Sequence, residues 1–415
     1  MTKSDDTSHI RPPARSQQPF QAVAMAVERA STIVFDDLQA FETRAERVYD
    51  GFSYGLYGTP TSRLLEDHVA QLEGAARALV VPSGMAAMTL ATMAVCRSGD
   101  RVLMPETLYG PARDMILRFL GPLGIAAQTY DPLLDAGIAG LLDERTRLVW
   151  VESPGSATFE VQDVPAIVAV AKKVGALVAA DNTWASHLLF KPLTHGVDIS
   201  MQALSKHAGG HGDLLMGSLA VRDQALFRRL KDTARFLGYG VSPEDCALCE
   251  RGLMTMPVRM RHAAASAAEI MTWLSQRPEV ARILHPAMPD HPGHAVWKRD
   301  FSGAAAVFSV VLRPELASLQ AEILRRMHLF KLGASWGGVH SLIAVNDPRK
   351  GRASLDWLPP GPVWRLSIGL EALDDLIGDL EQAFLPFAKV AGGVEDGRPD
   401  RGRITEKSCK VGERR

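Results

Sequence analysis

Six short apolar runs, each closing in a polar or glycine-rich turn, limit what this chain can fold into more than any other feature. They are ALVVP at 78–82, RVLM at 101–104, RLVWVE at 147–152, ALVAAD at 176–181, DISMQAL at 198–204 and GSLAV at 217–221. Helical stretches lie between several of them, among them AAMTLATMAVCR at 86–97 and VPAIVAVAKKV at 164–174. Runs with little polar alternation read as strands buried on both faces. Alternated with helices, they predict an α/β unit with a mostly parallel sheet covered by helices. Ligands of such sheets sit outside the carboxyl ends of the strands, so the residues after each run are the ones that matter.

After about residue 255 the rhythm changes. Helical MRHAAASAAEIMTWLSQ leads to strand-like AAAVFSVVL at 304–312, helical PELASLQAEILRRMH, strand-like VWRLSIGLE and a last helix through LDDLIGDLEQAFLPFAKV. This pattern predicts a smaller C-terminal α+β domain. The resulting division is a solvated, disordered tail at 1–18, an arm at 19–60, the α/β domain at 61–255, the α+β domain at 256–390 and a second disordered tail at 391–415. Both tails are polar and lack apolar periodicity.

Charge and composition exclude several functions. With 415 residues and a net charge of −1, no global field attracts nucleic acid or an acidic membrane. No run reaches the roughly 20 apolar residues that span a bilayer, and the first residues lack a secretory core. A cytoplasmic location is the expectation. The four cysteines, Cys96, Cys246, Cys249 and Cys409, do not make a disulfide framework. Cys246 and Cys249 read as one side of a helix start, with no second pair or histidine cluster to complete a metal site.

Two strand ends carry unusual charges. ALVAA ends in Asp181-Asn182-Thr183-Trp184, and a carboxylate there is costly without a cationic partner. DISMQAL ends in Ser205-Lys206-His207 before a glycine pair, although lysine is seldom buried unpaired. Each alone reads as an exposed loop charge. Together they gain meaning: a buried lysine with a lowered pKa is a Schiff-base nucleophile, and a buried aspartate can hold a pyridinium nitrogen protonated. Upstream, Ser83-Gly84-Met85 opens a helix whose N-terminus suits a phosphate, and PETLYG brings Tyr109 to the same edge. A phosphate site, then the aspartate, then the lysine is the order that pyridoxal 5'-phosphate requires.

The ordered motifs YGLYGTPTSRLLEDHVAQLEG, VPSGMAAM, ESPGSATFEVQDVPAIV, DNTWAS, LSKHAGGHGD, RGLMTMPVRMRH, HPGHAVWKRDFSG, SWGG and RLSIGLEALDDLIGDL resemble the Cys/Met-metabolism family of fold-type-I pyridoxal-phosphate enzymes. The likeness runs from about residue 30 to 390 and is nearest to the bacterial cystathionine β-lyase branch. It implies that Lys206 carries the cofactor, Asp181 pairs with its ring nitrogen and Tyr109 stacks on the ring. It also implies that Gly84, Met85 and Ser205 bind the phosphate, that Tyr54 of the arm reaches the phosphate of a neighbouring subunit, and that Arg365, Ser335 and Trp336 face the substrate. A homo-oligomer follows, a dimer or a tetramer, acting on a small sulfur amino acid. The implied reaction is β-elimination of L-cystathionine or a related cysteine S-conjugate. The alternative is a γ-lyase or γ-replacement enzyme acting on a homoserine- or homocysteine-derived substrate. The retained Lys206, Asp181, Tyr109 and Arg365 argue against a binding protein that merely keeps the fold.

Six residues at four places depart from the family pattern. An arginine usually follows the arm tyrosine by two or three residues, whereas Leu56 and Tyr57 stand here. Ala334 occupies the place of a tyrosine before SWGG, Val339 and His340 follow it in place of an aromatic residue and a glutamate, and His207 replaces a tyrosine after the lysine. The catalytic set is therefore kept, while the substrate wall and the phosphate clamp are altered.

Overall fold

The computed structural model describes residues 4–10, 13, 22–353 and 355–391. The larger of its two sheets has seven strands: β1 (Arg77–Val81), β2 (Arg101–Pro105), β3 (Ala126–Tyr130), β4 (Thr146–Glu152), β5 (Leu177–Asp181), β6 (Ile199–Gln202) and β7 (Gly217–Val221). Their spatial order is β1-β7-β6-β5-β4-β2-β3. The neighbours from β3 through β6 pair in parallel, and only β7 runs against the rest. The carboxyl ends of β1, β2, β4, β5 and β6 therefore share one edge of the sheet.

The six apolar runs form six of these strands. The exception is β3, AAQTY, which is too polar to stand out; it is the last strand on its edge and is half-exposed. Side chains alternate across the sheet as the two-residue period requires. Leu148 and Trp150 of β4 pack with Leu90 and Phe227, beneath the helices Gly84–Val95 and Gln224–Phe236. Val149 and Val151 face the other way, toward Leu65, Ile167 and Leu253 of three further helices. Both faces are thus covered, and each such side chain contributes about 1.5–3 kcal/mol on burial.

The second sheet is built from β8 (Val280–Leu284), β9 (Val307–Leu312), β10 (Lys331–Leu332), β11 (Leu342–Asn346) and β12 (Val363–Ser367), in the order β10-β11-β12-β9-β8. Phe308, Trp364 and Leu366 of this sheet pack on Ile270 and Leu274 of one helix and on Leu376 and Phe384 of the last. An α+β unit stands where the rhythm changes, although β8 and β11 are not visible as apolar runs.

Two readings from sequence differ from the structure. The division at 255/256 falls inside one continuous helix, Pro243–Ser275, of 33 residues. At 1.5 Å per residue this helix is about 50 Å long, and it packs against both sheets. Secondly, part of the expected tail at 1–18 is ordered, since Asp5–Ile10 form a helix. Its Asp6 pairs with Arg261 through two 2.9 Å bonds, and Asp5 with Lys191 at 3.0 Å. His9 is fully buried, with its Nε2 2.8 Å from Nε2 of His187. A short polar segment gives no periodic signal, because ion pairs and one buried imidazole, not an apolar face, hold it in place. The tail at 391–415 lies outside the described residues apart from Ala391, which ends the last helix. No helix among the described residues is long and apolar enough to cross a membrane.

Candidate active site

A cavity of about 300 Å³ opens at the shared carboxyl edge of the large sheet. Each strand end contributes through its own turn. After β1, Ser83 caps the helix Gly84–Val95, its hydroxyl accepting from the N–H of Ala86 at 3.0 Å. The first turn of a helix leaves N–H groups without intrahelical partners, and here they belong to Gly84 and Met85 at the cavity wall. Glycine is needed at 84 because a Cβ there would lie 2.8 Å from Cβ of Ala203.

β5 delivers Asp181, which is 8% exposed and accepts from both the N–H of Thr183, at 3.0 Å, and its hydroxyl, at 2.5 Å. Burial pushes its pKa up, against the pull of Thr183 and Lys206. The same Thr183 hydroxyl accepts from the N–H of Ala203 at 2.9 Å and so locks β5 to β6. β6 leads into Ser205 and Lys206. Ser205 is fixed by an exchange with Met216: its hydroxyl accepts the Met216 N–H at 2.9 Å. The Lys206 amine donates to Ser335 Oγ at 2.7 Å and stands 5.3 Å from the centre of the Trp336 ring. Burial, helped by the nearby Arg365, lowers its pKa to about 8.

The second sheet supplies the opposite wall. Arg365 lies on β12 and donates through one nitrogen to the carbonyls of Ala334, at 2.7 Å, and Ser335, at 3.1 Å. Those bonds hold the SWGG turn beside Lys206. A guanidinium carries five N–H donors, so capacity remains for a carboxylate. His207 braces the same turn from behind. It is buried, donates to the Trp184 carbonyl at 3.2 Å and meets Trp336 edge-on, and burial lowers its pKa to about 4.

Lys206, Asp181, Tyr109, Gly84, Met85, Ser205, Arg365, Ser335 and Trp336 all line this one cavity. Tyr54 does not; it is 44% exposed and packs against Tyr57 on the arm. Leu56, at the place of the family arginine, is half-buried near Gly240. His340 is exposed. Cys246 and Cys249 lie buried in the first turns of the helix Pro243–Ser275, where burial pushes the Cys246 thiol up to about 12.

Sequence reasoning missed Glu152, the last residue of β4, although a carboxylate closing an apolar strand is the signal that singled out Asp181. Glu152 pairs in register with Asp181. One of its oxygens accepts the N–H of Tyr109 at 2.6 Å and the other the hydroxyl of Ser156 at 2.7 Å. Burial and then the adjacent Asp181 raise its pKa well above the usual carboxylate range. The following loop holds Ala157 at φ 68° and Phe159 at φ 60°, a left-handed backbone that costs non-glycine residues of order 1–3 kcal/mol each.

This donor set fits pyridoxal 5'-phosphate. A helix N-terminus and a serine suit a phosphate, a buried carboxylate without a full ion pair suits a pyridinium nitrogen, and an amine with lowered pKa suits a carbonyl carbon. A mostly parallel sheet with these groups at its carboxyl edge, joined to a smaller sheet unit, defines a fold-type-I pyridoxal-phosphate enzyme. The chain belongs to the Cys/Met metabolism PLP-dependent enzyme family, whose sequence model matches residues 6–385. It is 38% identical over 391 residues to cystathionine beta-lyase MetC of Escherichia coli K12, covering 92% of this chain and 98% of that one. It is 36% identical to the L-alanine/L-glutamate racemase of Wolbachia pipientis wMel, over 86% of this chain and 91% of that one. Among solved structures, cystathionine gamma-lyase from Lactobacillus plantarum, complexed with L-serine, matches with a TM-score of 0.84 at 27% identity, covering 92% of this chain and 98% of that one. Family and cofactor are thereby shared, while the reactions of these three relatives differ.

Proposed function

We propose that this chain catalyses β-elimination of L-cystathionine or a related cysteine S-conjugate, releasing pyruvate, ammonia and a thiol. One observation carries the reading: the Lys206 amine, 2.7 Å from Ser335 Oγ, shares a cavity with Arg365, which is tied to the same turn. Likeness to the E. coli β-lyase supports the choice among reactions. Pyridoxal phosphate, when bound, supplies an electron sink for charge at the substrate Cα. Gly84, Met85 and Ser205 would hold its phosphate, Asp181 its ring nitrogen and Tyr109 its ring face.

The chain's own residues do the rest. Arg365 takes the substrate carboxylate as a bidentate partner. With a pKa near 8, Lys206 is partly unprotonated around neutral pH, so its Nζ can accept the Cα proton. Ser335 orients that amine through its hydroxyl. The electron pair left at Cα forms the Cα–Cβ double bond as the Cβ–S bond breaks, and the sulfur leaves with the proton carried by Lys206. The released enamine hydrolyses to pyruvate and ammonia. The second subunit enters through Tyr54, which lies outside its own cavity and on the arm, so we place it at a neighbour's phosphate in a dimer or a tetramer.

Cystathionine distinguishes the outcomes. β-Elimination gives pyruvate and homocysteine; γ-elimination gives 2-oxobutanoate and cysteine. Dominant 2-oxobutanoate refutes the β reading. If another cysteine conjugate yields pyruvate and cystathionine does not, the chemistry stands and the named substrate falls. Ala334 leaves room where relatives carry a tyrosine, so Ala334→Tyr is expected to shift the preference between these conjugates.

A further inference from the structure

The segment 347–353 leaves the second sheet, returns to the large one and buries Arg352 there. The Arg352 side chain is only 5% exposed, and its three nitrogens reach different partners. Nε donates to Glu106 Oε2 at 3.1 Å, one terminal nitrogen to Thr158 Oγ1 at 3.3 Å, and the other to Glu160 Oε1 at 2.8 Å. The N–H of Ala353 adds a 3.2 Å bond to Glu106. These partners sit on the two loops that wall the cavity. One follows β2 and leads to Tyr109; the other follows Glu152 at the end of β4 and carries Ser156, Ala157 and Phe159. The loops also touch directly, the N–H of Ser156 donating to the Thr107 carbonyl at 3.0 Å.

The point of grip is the strained one. Thr158 lies between the two left-handed residues Ala157 and Phe159. Arg352 holds its hydroxyl, and His291, also from the second unit, donates to its carbonyl at 2.8 Å. Glu160 is fully buried, and its other oxygen has no hydrogen-bond partner among the described residues. A backbone in an unfavourable conformation persists only where its surroundings over-determine it, and here Arg352 and His291 of the second unit add to the bonds the loop makes within its own unit. A planar guanidinium spreads its five donors over three separated nitrogens in a fixed fork, whereas a lysine gathers its three donors on one nitrogen and does not span these partners together.

We infer that Arg352 is a positioning residue for substrate: from the second unit it fixes the spacing between the Tyr109 wall and the Ser156–Phe159 wall. The inference rests on the reading of this cavity as the amino-acid site. Among the described residues, the side-chain hydrogen bonds and ion pairs of Arg352 go to Glu106, Thr158 and Glu160, and none reaches the β1, β5 or β6 turns that carry Gly84, Asp181 and Lys206. Its loss is therefore expected to widen the substrate side and leave the cofactor side intact.

The test compares the cofactor-loaded wild type with Arg352→Gln and Arg352→Lys. Binding of glycine is followed by the change it makes in the cofactor's absorption, and turnover by pyruvate release. Arg352→Gln is expected to keep the absorption band, raise the glycine Kd and the substrate KM by about tenfold or more, and change kcat by less than about threefold. Arg352→Lys is expected to fall between, because it restores one of the bonds. If Arg352→Gln does not fold, Arg352→Gln with Glu160→Gln removes the unpaired charge and carries the same expectation. Kd and KM within about twofold of wild type in a loaded variant would overturn the inference, as would loss of the cofactor in step with loss of binding. Because the glycine titration needs no turnover, a wild type that binds glycine but releases no pyruvate refutes the proposed reaction and leaves the Arg352 comparison readable.

Discussion

Replacing Glu152 separates its two structural duties. Its carboxylate accepts from the Tyr109 N–H at 2.6 Å and the Ser156 hydroxyl at 2.7 Å while lying beside Asp181. In Glu152→Ala both donors lose their acceptor. A donor left unsatisfied costs about 1–3 kcal/mol, and the cavity admits water that softens the loss, so the expected destabilisation is about 2–3 kcal/mol. Glu152→Gln keeps both bonds: its carbonyl accepts from Tyr109, and its amide donates to Ser156, whose hydroxyl can turn to accept. The glutamine also removes a charge held close to Asp181. Burial and Asp181 raise the folded-state pKa of Glu152, so its contribution is complete at low pH and is lost as pH rises through that raised value. Glutamine should therefore match the wild type in acid and gain on it as pH rises. Urea unfolding, followed by tryptophan fluorescence at several pH values, measures both effects. A Glu152→Gln variant less stable than wild type at pH 8, or an alanine variant as stable as wild type, would refute the reasoning.

Three further outcomes are expected. Gly84→Ala places a Cβ 2.8 Å from that of Ala203, so the helix N-terminus must retreat from the phosphate position; spectroscopic titration should show cofactor affinity lowered by about tenfold, and unchanged affinity would refute the contact. Burial lowers the pKa values of His9 and His187 from 6.5, so they stabilise the docked helix Asp5–Ile10 above pH 6.5 and lose that contribution as pH falls through their folded values. Hydrogen exchange in residues 5–10, corrected for intrinsic rates, should quicken between pH 7 and 5, and constant protection would count against the imidazole contact. Mixing Tyr54→Ala with Lys206→Ala protein should restore part of the activity if sites are shared between subunits, whereas a fully active wild-type monomer would exclude sharing.

Legibility in the sequence followed the physics of each element. Strands buried on both faces announce themselves as unbroken apolar runs, which is why six of the seven strands of the large sheet were readable while the half-exposed edge strand β3, AAQTY, was not. Lys206 and Asp181 stood out because a charge beside an apolar strand is expensive. Glu152 met the same criterion, yet its partners, a backbone N–H and a serine hydroxyl, leave no mark in the sequence. Arg352 was invisible for a related reason: Glu106 and Glu160 lie 246 and 192 positions away along the chain. The helix Asp5–Ile10 has no apolar face to detect. The break assigned near residue 255 marked a change of rhythm in the strands, while the helix crossing it continued.

That unbroken helix bears on how this chain tolerates recombination. Gly252, inside it, sits where a Cβ would come within 2.2 Å of the Ala208 carbonyl oxygen, and Arg259, two turns on, donates to the carbonyls of His207 and Ala208. The stretch after Lys206 is thus threaded against a rod whose far end belongs to the other sheet. A chimera that swapped the C-terminal part for that of a relative at residue 255 would set a foreign residue at the place of Arg259 and the native Gly252 on the same rod. Its joint would have to reproduce the helix's phase as well as its sequence. A crossover placed beyond Ser275 leaves the rod whole, and the exchanged part would then begin at β8.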